Sequence, residues 1–217
     1  MQATERFYEY QDWITIIFLA CFTLLVLAKL LFPQRFEEFI SLLNSSKFIA
    51  FKGKENKAFH AFNILLLLTQ ALAISVFLYI AYTYFFETSS PAIIVFIRIL
   101  TAYISLILIK AGIEKIIGNI FELDEKIDYY LFQKLSYRNF ISLFILVAAL
   151  FLVYTINPTG LIIGTIGGLA IIANAIGLII IYRRNQSVLS ANWFYFILYL
   201  CALEIAPYII LYKLITI

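Results

Sequence analysis

The sequence predicts an all-α, polytopic membrane protein: a six-transmembrane-helix bundle with short interfacial cytoplasmic helices, forming a single integral membrane domain over residues 1–217. Three observations carry that prediction. Of the 217 residues 64% are hydrophobic and 13% charged, and the mean hydropathy of +0.96 exceeds what a soluble domain of this size can hide in a core. Apolar windows recur at or above the length of about 20 residues that crosses hydrocarbon. Lysine and arginine gather in alternate loops. The spans must be helices, because backbone amides in lipid are satisfied within their own segment and no stretch alternates like a barrel strand.

The first span is expected at 13–32. The residues before it, MQATERFYEYQD, lack the basic start and small-residue cleavage site of a signal peptide, so this run is expected to be retained as an anchor. Pro33, a favoured first helical residue, opens a stretch in which Phe36, Phe39, Ile40 and Leu43 recur at helical spacing while Gln34, Arg35, Glu37 and Glu38 face elsewhere. That is the pattern of a short interfacial helix. The second span, 59–86, is long enough to tilt or protrude, and His60, Asn63 and Gln70 share a polar stripe on it. The third is expected at 91–111. The stretch GIEKIIGNIFELDEKIDYYLFQKLSYRN follows, with Ile113, Ile116, Ile117, Ile120 and Phe121 on one stripe and Glu122, Asp124, Glu125 and Asp128 before Tyr129 and Tyr130. It is expected to skim the membrane or to offer a docking surface. The remaining spans are expected at 138–156, 160–182 and 191–213.

The fifth span carries the clearest packing signal. GLIIGTIGG sets Gly160, Gly164 and Gly168 four apart on one face, with Gly167, Ala170, Asn174 and Gly177 beside it. Small residues along a stripe let another helix approach closely, so this face is expected to be buried in protein, whether against this chain or a neighbouring subunit.

Charge sets the topology. Lys29, Arg35, Lys47, Lys52, Lys54 and Lys57 lie in or beside the loop after the first span; Lys110, Lys115, Lys126, Lys134 and Arg138 after the third; Arg183 and Arg184 after the fifth. Only Arg6 and Lys213 fall on the other side, and Arg98 lies within a span. The positive-inside bias therefore puts the basic loops in the cytoplasm and both termini outside it. The outward loops, ETSS at 87–90 and NPTG at 157–160, are tight. A net charge of +3 with its cations between spans points to lipid contact and not to nucleic acid.

Arg98 and Glu204 are the two charges expected well inside the hydrocarbon, each costing about 2.5–3.5 kcal/mol near a helix centre on the insertion scale. At ~1.5 Å per residue Arg98 lies about 10 Å, and Glu204 about 15 Å, inward from the outer ends of their spans. A buried Arg98–Glu204 pair is the first structural expectation. Thr101 and Ser105 follow Arg98 on its face, and Cys201 and Tyr208 flank Glu204. Pro207 has no N–H and is expected to kink the helix, freeing the Leu203 carbonyl. A protonated Glu204 can donate to that carbonyl; an ionised one needs Arg98.

Catalytic readings find little. Cys21 and Cys201 both fall in apolar runs, without a CxxC motif or a disulfide signal. A single histidine, His60, excludes a multi-histidine metal site. The chain has no GxSxG elbow, paired intramembrane aspartates or phosphate-binding glycine loop. No catalytic residue, metal or cofactor is implied.

The C-terminal LYLCALEIAPYIILYK, through Tyr199, Cys201, Glu204, Pro207 and Lys213, resembles the signature of a family of uncharacterised multi-pass inner-membrane proteins of Bacteroidota, and GNIFELDEKIDYYLFQKL is similar to that family's cytoplasmic loop. The resemblance implies the bacterial inner membrane and no activity. The expected function is a non-catalytic integral membrane subunit, a scaffold or accessory component of an inner-membrane complex in envelope biogenesis or protein export. Its expected partners are the lipid bilayer and other membrane proteins, met through the glycine face or the cytoplasmic loops. The alternative is a small-solute or proton-coupled transporter using Arg98 and Glu204.

Overall fold

Residues 12 to 31 hold neither glycine nor proline and form helix α1 (Asp12–Leu31) in a computed structural model that describes residues 12–40, 60–86, 91–120, 124–156 and 158–184. Pro33 has no N–H to offer the preceding turn, so α1 stops and α2 (Pro33–Ile40) restarts in a new direction. Phe32 bridges the two, donating to Ala28 O and accepting from Phe36 N at 3.1 and 3.0 Å. Helix α3 (Ala61–Phe85) begins at His60, whose extended backbone (φ −72°, ψ 147°) and Nδ1, accepting from Phe62 N at 3.2 Å, satisfy an orphan donor of the first turn. Helix α4 (Ala92–Ile120) starts behind Pro91, whose carbonyl accepts from Ile94 and Val95. Helix α5 (Asp124–Tyr154) has no helix breaker in 31 residues. Pro158 and Thr159 restart the chain into α6 (Gly160–Arg184), with Thr159 Oγ1 accepting from Ile162 N at 3.4 Å.

Five of these helices are long and apolar enough to cross a membrane, and the described residues are all-helical, with no strand among them. The chain is a multi-pass helical membrane protein. The sixth expected span, 191–213, lies outside the described residues.

The boundaries differ most between the third and fourth spans. Helix α4 runs on to Ile120 and α5 begins at Asp124, so the stretch expected as a separate interfacial segment prolongs two transmembrane helices. At 1.5 Å per residue, α4 is about 44 Å and α5 about 46 Å long against a hydrocarbon core of about 30 Å. Their ends therefore project beyond the apolar slab. The isoleucine stripe that suggested a skimming helix coexists with a buried face: Glu114 on α4 and Leu131 and Phe132 on α5 are enclosed by the bundle. Tertiary packing carries the helices past the hydropathy edge.

The helices alternate in direction. At one end Trp13 meets Tyr79 edge-on at 5.1 Å and Phe96 at 5.2 Å, while Thr15 Oγ1 and Tyr154 OH share a 2.6 Å hydrogen bond. At the other Phe32 meets His60 and Phe62 at 5.2 and 6.0 Å, and Phe39 of α2 wedges between Phe62 and Phe140 at 6.1 and 6.0 Å. Helices α3 and α5 form the central pair; α1 packs on α3, α6 on α5, and α4 against both.

Small side chains set the approach. Cys21, Ala28, Ala73, Ser75 and Ala149 are fully buried where helices touch. Lipid tails are as apolar as leucine, so close van der Waals contact, and not hydrophobic transfer, holds such faces together. The first core gathers Ile14, Phe18, Val76, Phe77, Leu146 and Ile163 around these residues. A second, around Phe39, Phe62, Leu66 and Phe132, pins α2 beneath the bundle.

Candidate functional site

Buried polar residues concentrate on the central pair and at the feet of α4 and α5. Asn63, Thr69, Gln70 and Ser75 are buried on α3, and Gln133, Ser136, Asn139 and Ser142 on α5. Three bond locally: Thr69 donates to Leu65 O, Ser136 to Phe132 O and Ser142 to Asn139 O at 3.0, 2.8 and 2.6 Å. Gln70 reaches between helices, its Nε2 donating to Tyr103 OH at 2.7 Å. These bonds act as interhelical and intrahelical glue in a medium without water.

The strongest charge arrangement is at the α4–α5 foot. Lys134 Nζ donates to Glu114 Oε1 at 2.8 Å, with side-chain exposures of 11% and 2%. The same ammonium lies 5.4 Å from the Tyr130 ring centroid, one turn earlier on α5. Lys115 and Asp128 approach to 3.9 Å at the exposed rim, a weak pair by comparison. Helical spacing sets Lys110 on the Glu114 face of α4 and Arg138 on the Lys134 face of α5. All four side chains line one cleft between these helices, whose apolar walls include Leu67, Ile107, Leu131 and Leu135. Three cations meet one carboxylate there among the described residues. Arg138 Nε is buried without a hydrogen-bond partner among them.

His60 stands near this end of the bundle. Burial and, secondly, the positive charge of Arg35 hold its imidazole below the ordinary value of 6.5. The neutral ring suits its capping role, since Nδ1 accepts only when unprotonated.

Arg98 sits exposed on α4, with Thr101 Oγ1 donating to the Ile97 and Arg98 carbonyls at 2.8 and 3.0 Å and Ser105 exposed below. Cys201, Glu204, Pro207 and Tyr208 lie outside the described residues, and the Arg98–Glu204 pairing with them. On α6 a Cβ placed at Gly160 would stand 3.2 Å from Tyr84, one at Gly167 3.8 Å from Phe77 and one at Gly177 3.5 Å from Tyr137. Those at Gly164 and Gly168 would meet no described atom within 4 Å. Asn174 Nδ2 donates to Ala170 O of its own helix at 2.9 Å.

Sequence reasoning passed over Glu114 and counted Lys134 only as a topogenic charge. The signal was present: an acid inside the run ILIKAGIEKII, one helical turn beyond a lysine. No curated protein and no solved structure is similar to the chain. Residues 14–215 match the domain of unknown function DUF4271, and the chain belongs to that family.

Proposed function

We propose that the protein is a non-catalytic integral membrane subunit, a scaffold or accessory component of an inner-membrane complex, with its basic end in the cytoplasm. The observation that supports this reading is the lateral surface of α6. Only 11% of its most apolar window is buried within the described chain, and Gly164 and Gly168 open there among exposed Leu161, Leu169, Ile172 and Ile176. Such a face suits close approach by a helix from another subunit. Inside the bundle Thr69, Ser136 and Ser142 bond to their own helices and Gln70 ties α3 to Tyr103 of α4, links that suit a supporting part better than a transport path built from relayed ionisable groups. A photocrosslinking residue at position 164 of the full-length protein, activated in the native membrane, tests it. A discrete adduct with another membrane protein is expected; adducts within the chain or with lipid alone would overturn it.

A second reading, a small-solute or proton-coupled transporter, draws on the exposure of Arg98 within a span, where an unshielded cation is costly. Under it Glu204→Gln abolishes a pH-dependent flux while leaving the folded protein in the membrane.

A further inference from the structure

We infer that the outward face of α4 is the seat of this chain's own apolar segment 191–213, laid antiparallel to α4 with Glu204 against Arg98. The surface supplies the first argument. Only 11% of the most apolar window of α4 is buried, and Ile94, Arg98, Thr101, Ser105 and Gly112, spaced four, three, four and seven apart, fall on one exposed stripe. That stripe is compact. Thr101 turns its hydroxyl back to the Ile97 and Arg98 carbonyls, Ser105 is short, and a Cβ at Gly112 would meet no described atom within 4 Å. A second helix can come close enough there for dense van der Waals contact, which fluid lipid tails do not match.

Charge selects the occupant. Arg98 is exposed within a span and makes no ion pair among the described residues, a position where a cation calls for an acid at its own depth. Glu114 is held by Lys134 at the foot of the helix, and Glu204 is the other acid that the sequence sets inside a long apolar run. Arg98 lies about 10 Å and Glu204 about 15 Å inward from the outer ends of their spans, an offset that two long side chains close. With this pair opposed in antiparallel register, Thr101 meets Cys201 and Ser105 meets Ile197, three and seven residues along each helix. The same stripe is therefore used on both.

Reach agrees with this register. Helices α4 and α6 both pack on α5, which at about 8–10 Å between packed axes puts them within about 20 Å of each other, and the stretch 185–190 extends to about 20 Å. Both helices end on the same side of the bundle, so the segment leaves α6 beside the foot of α4 and can run back along its near flank. The inference is independent of the subunit reading, which concerns the face of α6.

The test is disulfide trapping in native membranes, using the full-length protein with Cys21→Ala, which leaves Cys201 as its one thiol. In that background Thr101→Cys is expected to form an intrachain bond to Cys201 on mild oxidation at least about tenfold faster than Gly164→Cys does. A bond from position 164 in its place, a bond between two copies, or no bond from either position would overturn the inference. Exchanging the charges reads the pair itself. Arg98→Glu and Glu204→Arg are each expected to lower the folded protein in the membrane at least about tenfold, and together to restore it to within about twofold; a double variant no better than the singles counts against the seat. Should the cysteine variants not fold, a photocrosslinking residue at position 105 of the otherwise unaltered protein decides. Adducts to peptides within 191–213 of the same chain support the seat, and adducts confined to lipid, to a second copy or to another protein overturn it.

Discussion

Cutting the Glu114–Lys134 pair from either side gives unequal costs that follow from burial. Removing one partner of a buried ion pair leaves an uncompensated charge, a loss of about 3–5 kcal/mol. The carboxylate is the more enclosed, at 2% against 11% for the lysine. Lys134→Met takes the hydrogen-bonded donor from the deeper charge, which Lys110 and Arg138 of the same cleft offset only in part, and its cost is expected near 5 kcal/mol. Glu114→Gln leaves an ammonium that still has the Tyr130 ring at 5.4 Å, a contact worth about 0.5–2 kcal/mol, and an amide oxygen to accept its hydrogen bond. Its cost is expected near 3 kcal/mol. Combining the two changes removes both charges from a cleft wall already rich in leucine, and the double variant is expected to lose less than Lys134→Met alone. The assay is reversible unfolding in mixed detergent micelles, followed by circular dichroism, for the four members of the double-mutant cycle. Additive losses, or a Glu114→Gln cost above that of Lys134→Met, would refute the reasoning.

Other consequences follow from single contacts. Tyr103→Phe takes the acceptor from Gln70 Nε2 and is expected to cost about 0.6–1.7 kcal/mol, the range of interhelical hydrogen bonds in membranes. Gln70→Met, which also removes the buried Oε1 that has no partner among the described residues, is expected to cost less in the same micelle assay. His60 is held below 6.5, so its neutral form is favoured by folding. That stability is fully present above about pH 6.5 and is lost as pH falls through the folded value. The protection of the Phe62 amide, corrected for the intrinsic exchange rate at each pH, is expected to fall as pH drops below about 6.5, and His60→Asn, a good cap throughout, to flatten the response. Ala149, with no exposed surface in the first core, has no room for larger side chains. Ala149→Leu is expected to destabilise by about 1–3 kcal/mol in thermal denaturation, whereas Gly164→Ala, which meets no described atom within 4 Å and lies in a helix interior, is expected not to lower the melting temperature of the isolated chain.

Hydropathy made the first, second and fifth spans legible because the apolar runs 13–32, 59–86 and 160–182 are nearly as long as the helices Asp12–Leu31, Ala61–Phe85 and Gly160–Arg184. Pro33 marked the start of α2 for the same backbone reason that the structure displays. The amphipathic pattern from Phe36 to Ile40 revealed α2, and Phe39 is its buried anchor. The polar stripe of His60, Asn63 and Gln70 was also readable; two of its members are buried and the third caps the helix.

The α4–α5 foot was not, because hydropathy windows end where charges begin, while these helices continue under tertiary contact. A lysine in a loop and a lysine bonded to a buried glutamate look alike until the partner helix is placed. The glycines of α6 show the same limit. Spacing of four groups Gly160, Gly164 and Gly168, whereas described neighbours stand within 4 Å of a Cβ only at Gly160, Gly167 and Gly177, and periodicity alone cannot say which neighbour each side of a helix will have.

The scaffold reading meets its most direct test in the composition of the native particle. Full-length tagged protein extracted from its own membrane in mild detergent and weighed by native mass spectrometry is predicted to carry one or more other membrane proteins at fixed stoichiometry. A clean monomer or homodimer, obtained under conditions that leave other membrane complexes intact, would contradict it.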